Sequence, residues 1–257
     1  MISSVYHDLR SDKLVNFSLG APAPSMLPAA KLNKAVAQAL RESHDSCLNY
    51  EHVQGNVDLR KQIARLSFNW GGTLGGEDIV VTAGCMEALS LTLKAITRPG
   101  DAVAIESPTY FGIFQVMESL GLKVVEIPTD PNTGIDLDQL ERAIRRFSIR
   151  ACLFVCNFNN PMGNSLPEEK KKQLVELITR KNIPLIEDDI YGELYFGKTR
   201  PRTCKLYDTE GLVIQCGSFS KSLAPGYRVG WVVPGRYKDR IIQLKRMNNV
   251  STNTLAQ

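Results

Sequence analysis

A lysine with hydroxyl residues on both sides follows a short apolar run near the end of the chain. Residues 212–214 form that run, and Ser218, Ser220 and Lys221 follow it, with Arg228 seven residues beyond the lysine. A lysine in a partly desolvated crevice loses some of its preference for the charged form, so its amine can attack an aldehyde and form a Schiff base. A serine hydroxyl and an arginine fork both bind phosphate oxygens. The combination indicates carbonyl chemistry next to a phosphate anchor.

Small and polar residues also follow two earlier apolar runs. Gly84 comes after residues 79–81, at the start of a helical pattern. Such a turn presents free backbone N–H groups and the positive end of a helix dipole to an anion, which suits a phosphate. Asn160 comes after residues 151–155, in a tight turn that ends at Gly163. This second turn can aim the Asn160 amide into the same crevice.

An acidic residue and two tyrosines complete the set of candidate residues. Asp188 follows residues 184–186, Tyr191 comes three residues later, and Tyr110 follows an earlier apolar run. A carboxylate at Asp188 can hold a pyridine nitrogen protonated, so that the ring accepts electrons, and Tyr110 can stack on that ring. Taken alone, the aspartate is equally typical of a turn cap, and the tyrosines of core or rim aromatics. Their shared position just after predicted strands favours a single site.

The elements that must position these residues alternate along the chain. Apolar, β-branched runs predict buried strands, and apolar residues at the 3.6-residue period predict helices between most of them. The predicted strands are residues 79–81, 102–105, 123–127, 151–155, 184–186, 212–214 and 229–233, and the predicted helices are residues 29–40, 57–68, 86–96, 111–120, 137–147 and 168–180. This alternation predicts an α/β fold, a three-layer sandwich with a mainly parallel sheet. We expect an extended N-terminal segment over residues 1–28 and one large domain over residues 29–257.

Composition and charge exclude several classes of protein. The 257 residues are 43% hydrophobic and 23% charged, the balance of a globular protein with a sizeable core. The net charge is only +4, and the densest basic stretches lie beside acids in helical patterns, so this chain alone is not expected to bind nucleic acid. No run approaches the roughly 20 apolar residues that a membrane span requires, so no membrane interaction is expected.

The N-terminus and the cysteines indicate a reducing compartment. Residues 1–13 lack the apolar core of a secretory signal, which predicts the cytoplasm. The six cysteines form no CxxC pair and are too sparse for a disulfide framework, so mostly buried, reduced thiols are expected. None of the three histidines has the spacing of a helical zinc pair, and no metal site is predicted.

A competing motif would indicate a different chemistry. Residues 192–199 match the phosphate-loop pattern GxxxxGK(S/T), which is typical of nucleotide hydrolases. The interior of the match is bulky and strand-like, and Arg200 and Pro201 follow where a phosphate loop continues into a helix. We therefore expect no phosphate loop in this segment.

Three short motifs contain most of the residues of the candidate site. They are Asn160-Pro161-x-Gly163, Asp188-x-x-Tyr191 and Ser218-x-Ser220-Lys221 with Arg228. Asn160 and Asp188 lie 28 residues apart, and Asp188 and Lys221 lie 33 residues apart. In this order and spacing the chain resembles the fold-type I pyridoxal-phosphate enzymes, the class I and II aminotransferases, from about residue 14 to its last residue.

Further motifs narrow the resemblance within that family. They are Gly20 with Pro22 and Pro28, Asn49-Tyr50 followed by Gly55, Leu59 and Arg60, and Glu106-Ser-Pro-Thr-Tyr110. By these residues the chain is most similar to the aminotransferase-like domain of the MocR subgroup of GntR-type regulators. It is also similar to aromatic and aminoadipate aminotransferases.

The resemblance implies pyridoxal 5′-phosphate as the cofactor and a role for each candidate residue. Lys221 would form the Schiff base with the cofactor and carry protons, and Asp188 would pair with the pyridine nitrogen. Asn160 and Tyr191 would hydrogen-bond the phenolic oxygen of the cofactor, and Tyr110 would cover its ring. The residues that would hold the phosphate are Gly84, Cys85, Met86, Ser218 and Arg228, and Ser220 would also contact the cofactor.

The resemblance also implies a homodimer and two substrates. Tyr50 would reach the phosphate bound by the neighbouring subunit, so that active sites are shared across the interface. Gly20 and Asn160 would contact the substrate. The substrates would be an amino acid, which gives up its amino group, and a 2-oxo acid, which receives it.

Two functions stay open on the sequence. Family members continue into a smaller C-terminal domain that usually supplies an arginine for the substrate α-carboxylate, and residues 252–257 resemble a capped helix start, so a C-terminal truncation is expected. No basic helical domain precedes residue 14. The first function is a pyridoxal-phosphate-dependent aminotransferase. The alternative is the effector-sensing domain of a MocR-type transcription regulator, in which the same chemistry reports a ligand without turnover.

Overall fold

The computed structural model describes residues 20–42 and 46–257, and their strands form one eight-stranded sheet. The strands are β1 (Val80–Thr82), β2 (Ala102–Ser107), β3 (Lys123–Asp130), β4 (Gly134–Ile135), β5 (Ile149–Phe154), β6 (Leu185–Asp188), β7 (Val213–Ser218) and β8 (Gly230–Val233). Their order in the sheet is β1-β8-β7-β6-β5-β2-β3-β4. The run from β7 to β3 is parallel, whereas β8 is antiparallel to β7 and β1, and β4 is antiparallel to β3. Residues 1–19 of the predicted N-terminal segment lie outside the described residues.

Helices cover both faces of this sheet. The described α-helices are α1 (Ala29–Glu42), α2 (Val57–Leu66), α3 (Cys85–Ile96), α4 (Gly112–Ser119), α5 (Leu137–Phe147), α6 (Glu168–Lys181) and α7 (Lys238–Asn249). Because alternate residues of a strand face opposite sides, Ala102 and Ala104 of β2 share an apolar cluster with α5 and α6. Val103 and Ile105 share another with α3, α4 and α7. The predicted α/β fold, a three-layer sandwich with a mainly parallel sheet, is confirmed.

Capping side chains mark where two of these helices begin. Asn56 precedes α2, and its Oδ1 accepts the backbone N–H groups of Asp58 at 2.9 Å and Leu59 at 3.2 Å. Asp136 precedes α5, and its Oδ1 accepts the N–H of Gln139 at 2.9 Å. Such caps satisfy N–H groups that have no partner within the helix. Both helices therefore begin at the predicted residues, 57 and 137.

The last strand departs from the predicted pattern of helical crossovers. Only residues 219–229 join β7 to β8, and a parallel connection needs a dozen residues or more. The chain therefore turns back, β8 runs antiparallel, and Lys221 lies in the connection. Neither β4 nor α7 was predicted, because β4 has two residues and α7 buries only Ile241 and Lys245. A single turn over residues 254–256 stands where a helix start was predicted.

Two further expectations concern the cysteines and the membrane. All six cysteines are free thiols, and five are buried, with only Cys47 partly exposed. The prediction that the cysteines are mostly buried is confirmed. Among the helices of the described ranges, none combines the length and the apolar character that a membrane crossing demands.

Candidate active site

The carboxyl ends of β5, β6 and β7 meet at one edge of the sheet, because these strands are adjacent and parallel. The chain reaches Asn160 after β5, Asp188 at the end of β6 and Lys221 after β7. A cavity of about 400 Å³ opens at this edge, and its volume is typical of small-molecule sites. Ten of the thirteen predicted site residues line it: Gly20, Cys85, Met86, Tyr110, Asn160, Asp188, Tyr191, Ser220, Lys221 and Arg228.

Lys221 contributes an amine to this cavity. Its Nζ donates a hydrogen bond to the carbonyl oxygen of Gly20 at 2.5 Å and lies 5.7 Å from the centroid of the Tyr191 ring. Partial burial lowers the pKa of the Lys221 amine; the Asp188 carboxylate opposes this shift, and Arg228 adds to it. A larger fraction of the amine is therefore uncharged, and thus nucleophilic, than for an exposed lysine at the same pH.

Asp188 is a buried carboxyl held by two donors. Its Oδ1 accepts a hydrogen bond from the Cys85 thiol, with Sγ at 3.3 Å, and another from the backbone N–H of Ile190, with the nitrogen at 3.1 Å. Burial raises the pKa of Asp188 to about 6, although both hydrogen bonds and the Lys221 amine favour the ionised form. A carboxylate in this environment is stabilised by a cation in the cavity, such as a protonated ring nitrogen.

Asn160 and Tyr191 form a hydrogen-bonded pair beside the lysine. The Asn160 Nδ2 donates to the Tyr191 hydroxyl oxygen at 3.2 Å. Burial raises the pKa of the Tyr191 hydroxyl, so it keeps its proton at neutral pH. Gly20 packs closely against the pair, since a Cβ at this position would lie 3.3 Å from the Tyr191 hydroxyl and 3.7 Å from the Lys221 Nζ. An amide and a phenol therefore lie within reach of one ligand oxygen.

An arrangement suited to an anion forms where α3 begins. Gly84 directly precedes the helix with a φ of 87°, and the N–H groups of a first helical turn have no partner within the helix. A Cβ at Gly84 would collide with the Arg228 guanidinium. Arg228 donates to the carbonyl oxygen of Ala83 at 3.2 Å and to the Ser220 Oγ at 3.3 Å. The guanidinium thus lies against the start of α3, where backbone donors and positive charge act together.

Three predicted site residues do not line the cavity. Gly84 lies just behind Arg228, as described. Ser218 is buried, and its Oγ accepts the backbone N–H of Ser220 at 2.9 Å and lies 2.7 Å from the Ser220 Oγ. Ser218 therefore orients Ser220. Tyr50 is 86% exposed and lies beside residues 251–254, away from the cavity of its own chain.

The segment that matches a phosphate loop has a different structure. Residues 192–199 form turns and irregular backbone, and the chain does not continue from Thr199 into a helix. Arg200 is buried and forms ion pairs with Asp189 and with the Glu193 carboxylate, the latter at 2.6 Å. These ion pairs anchor the segment to the protein core, which agrees with the expectation drawn from its bulky residues.

Beneath the site lies a buried polar network that no sequence motif indicated. Asp189 pairs with Arg200 and accepts hydrogen bonds from the side-chain amides of Gln215 at 2.9 Å and Asn157 at 3.1 Å. The Asn157 Oδ1 in turn accepts from the Lys171 Nζ at 2.6 Å. The only local signal is an acidic residue directly after β6. The network ties together the loops that carry Asn157 and Asp189, and it therefore supports the cavity from below.

Glu106 is a second buried carboxyl whose role the sequence did not reveal. It is 1% exposed, and both carboxylate oxygens lie 3.0 Å from the backbone nitrogen of Val155. Burial raises the pKa of Glu106 to about 8 against the effect of the Val155 hydrogen bond, and Asp188 adds to the rise. Glu106 is therefore largely protonated at neutral pH, and it holds the end of β5 from which the chain leads to Asn160.

We expect Glu106→Gln to flatten the dependence of the unfolding free energy on pH. Between pH 4.5, the ordinary pKa, and about 8, the folded chain holds a proton on Glu106 that the unfolded chain releases, so stability is lost as pH rises. Glu106 contributes up to about 1.4 kcal/mol per pH unit to this slope. Urea unfolding at several pH values measures it. The exposed control Glu118→Gln should keep the wild-type slope, and a wild-type slope in Glu106→Gln would contradict the assignment.

A group of potential metal ligands lies away from the cavity. Cys156, Glu187 and Cys204 are buried, and their ligand atoms all lie within 4.8 Å of one another. The Glu187 oxygens already accept the backbone N–H groups of Cys204 at 2.8 Å and Lys205 at 3.1 Å. The ammonium group of Lys171 interacts electrostatically with all three side chains. Because this ammonium disfavours a second cation, we assign no metal to the group.

Sequence comparison connects the chain with both enzymes and regulators. The family described as "Aminotransferase class I and II" matches residues 12–257. The HTH-type transcriptional regulator YjiR of Escherichia coli (strain K12) is 44% identical over 223 residues, which are 87% of this chain and 47% of YjiR. The 2-aminoadipate transaminase of Thermus thermophilus is 33% identical over 248 residues, 95% of this chain and 61% of that enzyme. The chain thus spans about half the length of these relatives.

Solved structures of aminotransferases share the fold. The α-aminoadipate aminotransferase LysN from Thermus thermophilus, complexed with N-(5′-phosphopyridoxyl)-L-leucine, superimposes with a TM-score of 0.88 at 30% identity, covering 98% of this chain and 66% of LysN. A multiple substrate aminotransferase from Thermococcus profundus gives a TM-score of 0.90 at 28% identity, covering 99% and 65%. The predicted family and its cofactor, pyridoxal 5′-phosphate, are confirmed. On motifs, fold and matched length together, the chain belongs to the class I and II aminotransferase family.

Proposed function

We propose that this chain is the cofactor-binding part of a pyridoxal-phosphate-dependent aminotransferase, which moves an amino group from an amino acid to a 2-oxo acid. One observation carries the proposal: a single cavity holds the Lys221 amine, the Asp188 carboxyl and the Arg228 guanidinium. They are a nucleophile, a partner for a ring cation and an anchor for a phosphate, the three groups that this cofactor needs. We further propose that residues 29–257 form this cofactor-binding unit.

The residues present fit the cofactor at both of its ends. At one end, the absence of a Cβ at Gly84 leaves room for the Arg228 guanidinium beside the start of α3. At the other end, Asp188 is a buried carboxyl with a pKa of about 6, and a cationic ring nitrogen would stabilise its charge. When bound, the cofactor supplies an aldehyde carbon for an amine and a ring that accepts electrons.

Each polar residue of the cavity then has a task. Lys221 would hold the cofactor through its Nζ, and the same amine would take and return a proton at the substrate α-carbon. Asp188 keeps the ring nitrogen protonated. The Tyr191 hydroxyl and the Asn160 amide donate hydrogen bonds to the phenolic oxygen of the cofactor. Tyr110 covers the ring and limits access of water to it.

The remaining predicted residues bind the phosphate and the substrate. Gly20 and Asn160 contact the substrate, on the side of the cavity where Gly20 already meets the Lys221 amine. Ser218 acts by orienting Ser220. The residues that hold the phosphate are Gly84, Cys85 and Met86 through their backbone N–H groups and Ser220 and Arg228 through their side chains.

We also propose that the chain acts as a cytoplasmic homodimer. In that assembly Tyr50 reaches the phosphate bound by the partner copy. The side chains of Leu48 and Tyr50 are 87% and 86% exposed, and such adjacent apolar residues are typical of a surface that is covered by another chain. The cysteine content supports the cytoplasm, because six unpaired thiols suit a reducing compartment.

An absorption titration tests the proposed function. Pyridoxal phosphate added to the purified chain should give a visible band, and an amino acid should then convert the band while one equivalent of 2-oxo acid appears per bound cofactor. A panel of amino acids identifies the donor. The control is 2-aminoisobutyrate, which has no α-proton. It should change the spectrum when it binds, but it should not convert the band as an amino acid substrate does, because that conversion requires removal of the α-proton.

The regulator relatives favour a second candidate function. YjiR and YdcR, both HTH-type transcriptional regulators of Escherichia coli (strain K12), are 44% and 40% identical to this chain. If the chain is an effector-sensing domain, an amino acid changes the spectrum in a saturable way and no 2-oxo acid forms. The absence of any visible band with pyridoxal phosphate would contradict both candidate functions.

We expect Gly84→Ala to weaken cofactor binding at the phosphate. The φ of 87° disfavours alanine, and the added Cβ would displace the Arg228 guanidinium. Loss of this charged contact should raise the Kd for pyridoxal phosphate roughly ten- to a hundredfold. Pyridoxal, which lacks the phosphate, should bind both proteins equally weakly. The control Gly226→Ala lies in open space, and an equal loss in both variants would contradict the prediction.

A further inference from the structure

The side chain of Cys85 contacts the carboxyl of Asp188 across 103 residues of sequence. Cys85 is the first residue of α3 and directly follows Gly84, and it is 4% exposed. Its Sγ lies 3.3 Å from the Asp188 Oδ1. The sequence motif places Cys85 only in the phosphate turn. The contact with Asp188 therefore connects Cys85 to a second part of the site.

The thiol is the donor in this contact. Burial, together with the negative charge of Asp188, raises the pKa of Cys85 well above its ordinary value, so the sulfur keeps its proton at neutral pH. A buried, protonated thiol is a poor nucleophile, which leaves hydrogen bonding as its role. The same hydrogen bond lowers the pKa of Asp188 and thereby opposes the effect of burial.

Two donors act on the same oxygen of Asp188. The Oδ1 accepts from the Cys85 thiol of α3 and from the backbone N–H of Ile190 after β6. A carboxylate held by donors from two different elements cannot rotate freely, so its second oxygen keeps one direction. We propose, on the basis of the proposed function, that Cys85 is a positioning residue whose thiol holds the Asp188 Oδ1 so that Oδ2 accepts a hydrogen bond from the protonated ring nitrogen of the cofactor.

This contact joins the two ends of the site. The backbone of Cys85 belongs to the turn that receives the phosphate, and its side chain reaches the carboxyl that receives the ring nitrogen. One residue therefore sets the distance between both anchors. Sulfur suits the position, because its apolar bulk shares a cluster with Ala88, Leu89 and Cys216, while its weak S–H donor orients the carboxylate without adding a charge.

Nuclear magnetic resonance of the cofactor-free chain, labelled with ¹³C at the aspartate carboxyl groups, measures the contact. The Asp188 signal is identified by its loss in Asp188→Asn. Cys85→Ala removes the donor and should raise the titration midpoint of Asp188 by about one pH unit, a tenfold change in proton affinity. Cys85→Ser keeps a donor and should stay near the wild-type midpoint. The control Cys152→Ala removes a buried thiol from the opposite face of the sheet and should not move it.

Stopped-flow absorbance of the cofactor-loaded chain measures the positioning role. The rate at which an amino acid converts the bound cofactor should fall about tenfold in Cys85→Ala and recover in Cys85→Ser. The pH dependence of this rate should shift with the Asp188 midpoint. The Kd for pyridoxal phosphate, which the phosphate contacts dominate, should change by less than about threefold. If Cys85→Ala does not fold, Cys85→Val, which also lacks a donor, replaces it.

Each result decides between defined outcomes. An unchanged Asp188 midpoint in the variant without a donor overturns the thiol contact. A shifted midpoint with an unchanged conversion rate and pH profile overturns the positioning role. If the wild-type chain binds no pyridoxal phosphate, both the proposed function and this role of Cys85 are overturned. In that case the titration midpoints of Asp188 in the cofactor-free chain still show whether the thiol contact exists.

Discussion

Lys221→Ala should abolish the visible band of the chain loaded with pyridoxal phosphate and reduce amino-group transfer by roughly a thousandfold or more. Among the described residues that line the cavity, Lys221 is the one lysine. Burial lowers the pKa of its amine, which increases the uncharged, nucleophilic fraction. The phosphate contacts around Arg228 do not depend on this amine. The variant should therefore still bind the cofactor, noncovalently and with lower affinity, as equilibrium dialysis measures.

Two control variants and a trapping experiment make this result specific. Lys221→Arg keeps a positive charge but has no nucleophilic amine, so its band should also be absent. Lys198→Ala removes an exposed lysine and should keep the wild-type band. Borohydride reduction followed by peptide mass spectrometry should locate the cofactor mass on the peptide that contains Lys221. A full band in Lys221→Ala, or trapped mass on another lysine, would contradict the assignment.

Asp188→Asn should keep the visible band and slow its conversion by an amino acid roughly a hundred- to a thousandfold, the usual cost of removing one preorganised electrostatic contact in an active site. Asparagine has the shape of aspartate but no charge, so it does not keep the ring nitrogen protonated. The Lys221 amine remains in place to bind the aldehyde. Stopped-flow absorbance separates the two steps, and wild-type conversion kinetics in this variant would remove Asp188 from its assigned role.

The same substitution should stabilise the cofactor-free chain at neutral pH. The pKa of Asp188 is raised from 3.8 to about 6, so its contribution to stability is present below pH 4 and is lost as the pH rises through 6. At pH 7 the folded wild-type chain contains a buried charge that Asp188→Asn lacks. Its thermal unfolding midpoint should exceed that of the wild type by roughly 2–6 °C at pH 7, and the difference should shrink at pH 4. The exposed control Asp138→Asn should show no such pH-dependent gain.

The proximity of Asn160, Asp188 and Lys221 was predictable because each follows a strand. Carboxyl ends of parallel strands meet at one edge, so residues that come next in the chain meet there as well. The bounds of α5, Leu137–Phe147, were also predictable, since a capping aspartate precedes a strongly periodic apolar pattern. Local rules of this kind account for the central strands and for most of the helices beside them.

Contacts between distant segments were not predictable in this way. The Lys221 amine meets the Gly20 carbonyl across 201 residues, and no local pattern encodes that distance. Glu106 is ionisable by type, yet its burial in β2, beside the end of β5, raises its pKa to about 8. The polar helix α7 also depends on packing, because its residues carry only a weak periodic apolar signal.

By itself, the sequence determined the family, the α/β layers and the set of candidate site residues, because periodicity, turn residues and motif spacing are properties of neighbouring residues. Only the tertiary structure decided which oxygen of Asp188 the Cys85 thiol binds, how Arg228 lies against Gly84 and which carboxyls lose their solvent. Hydrogen-bond geometry and desolvation arise from atoms that folding brings together from distant parts of the chain.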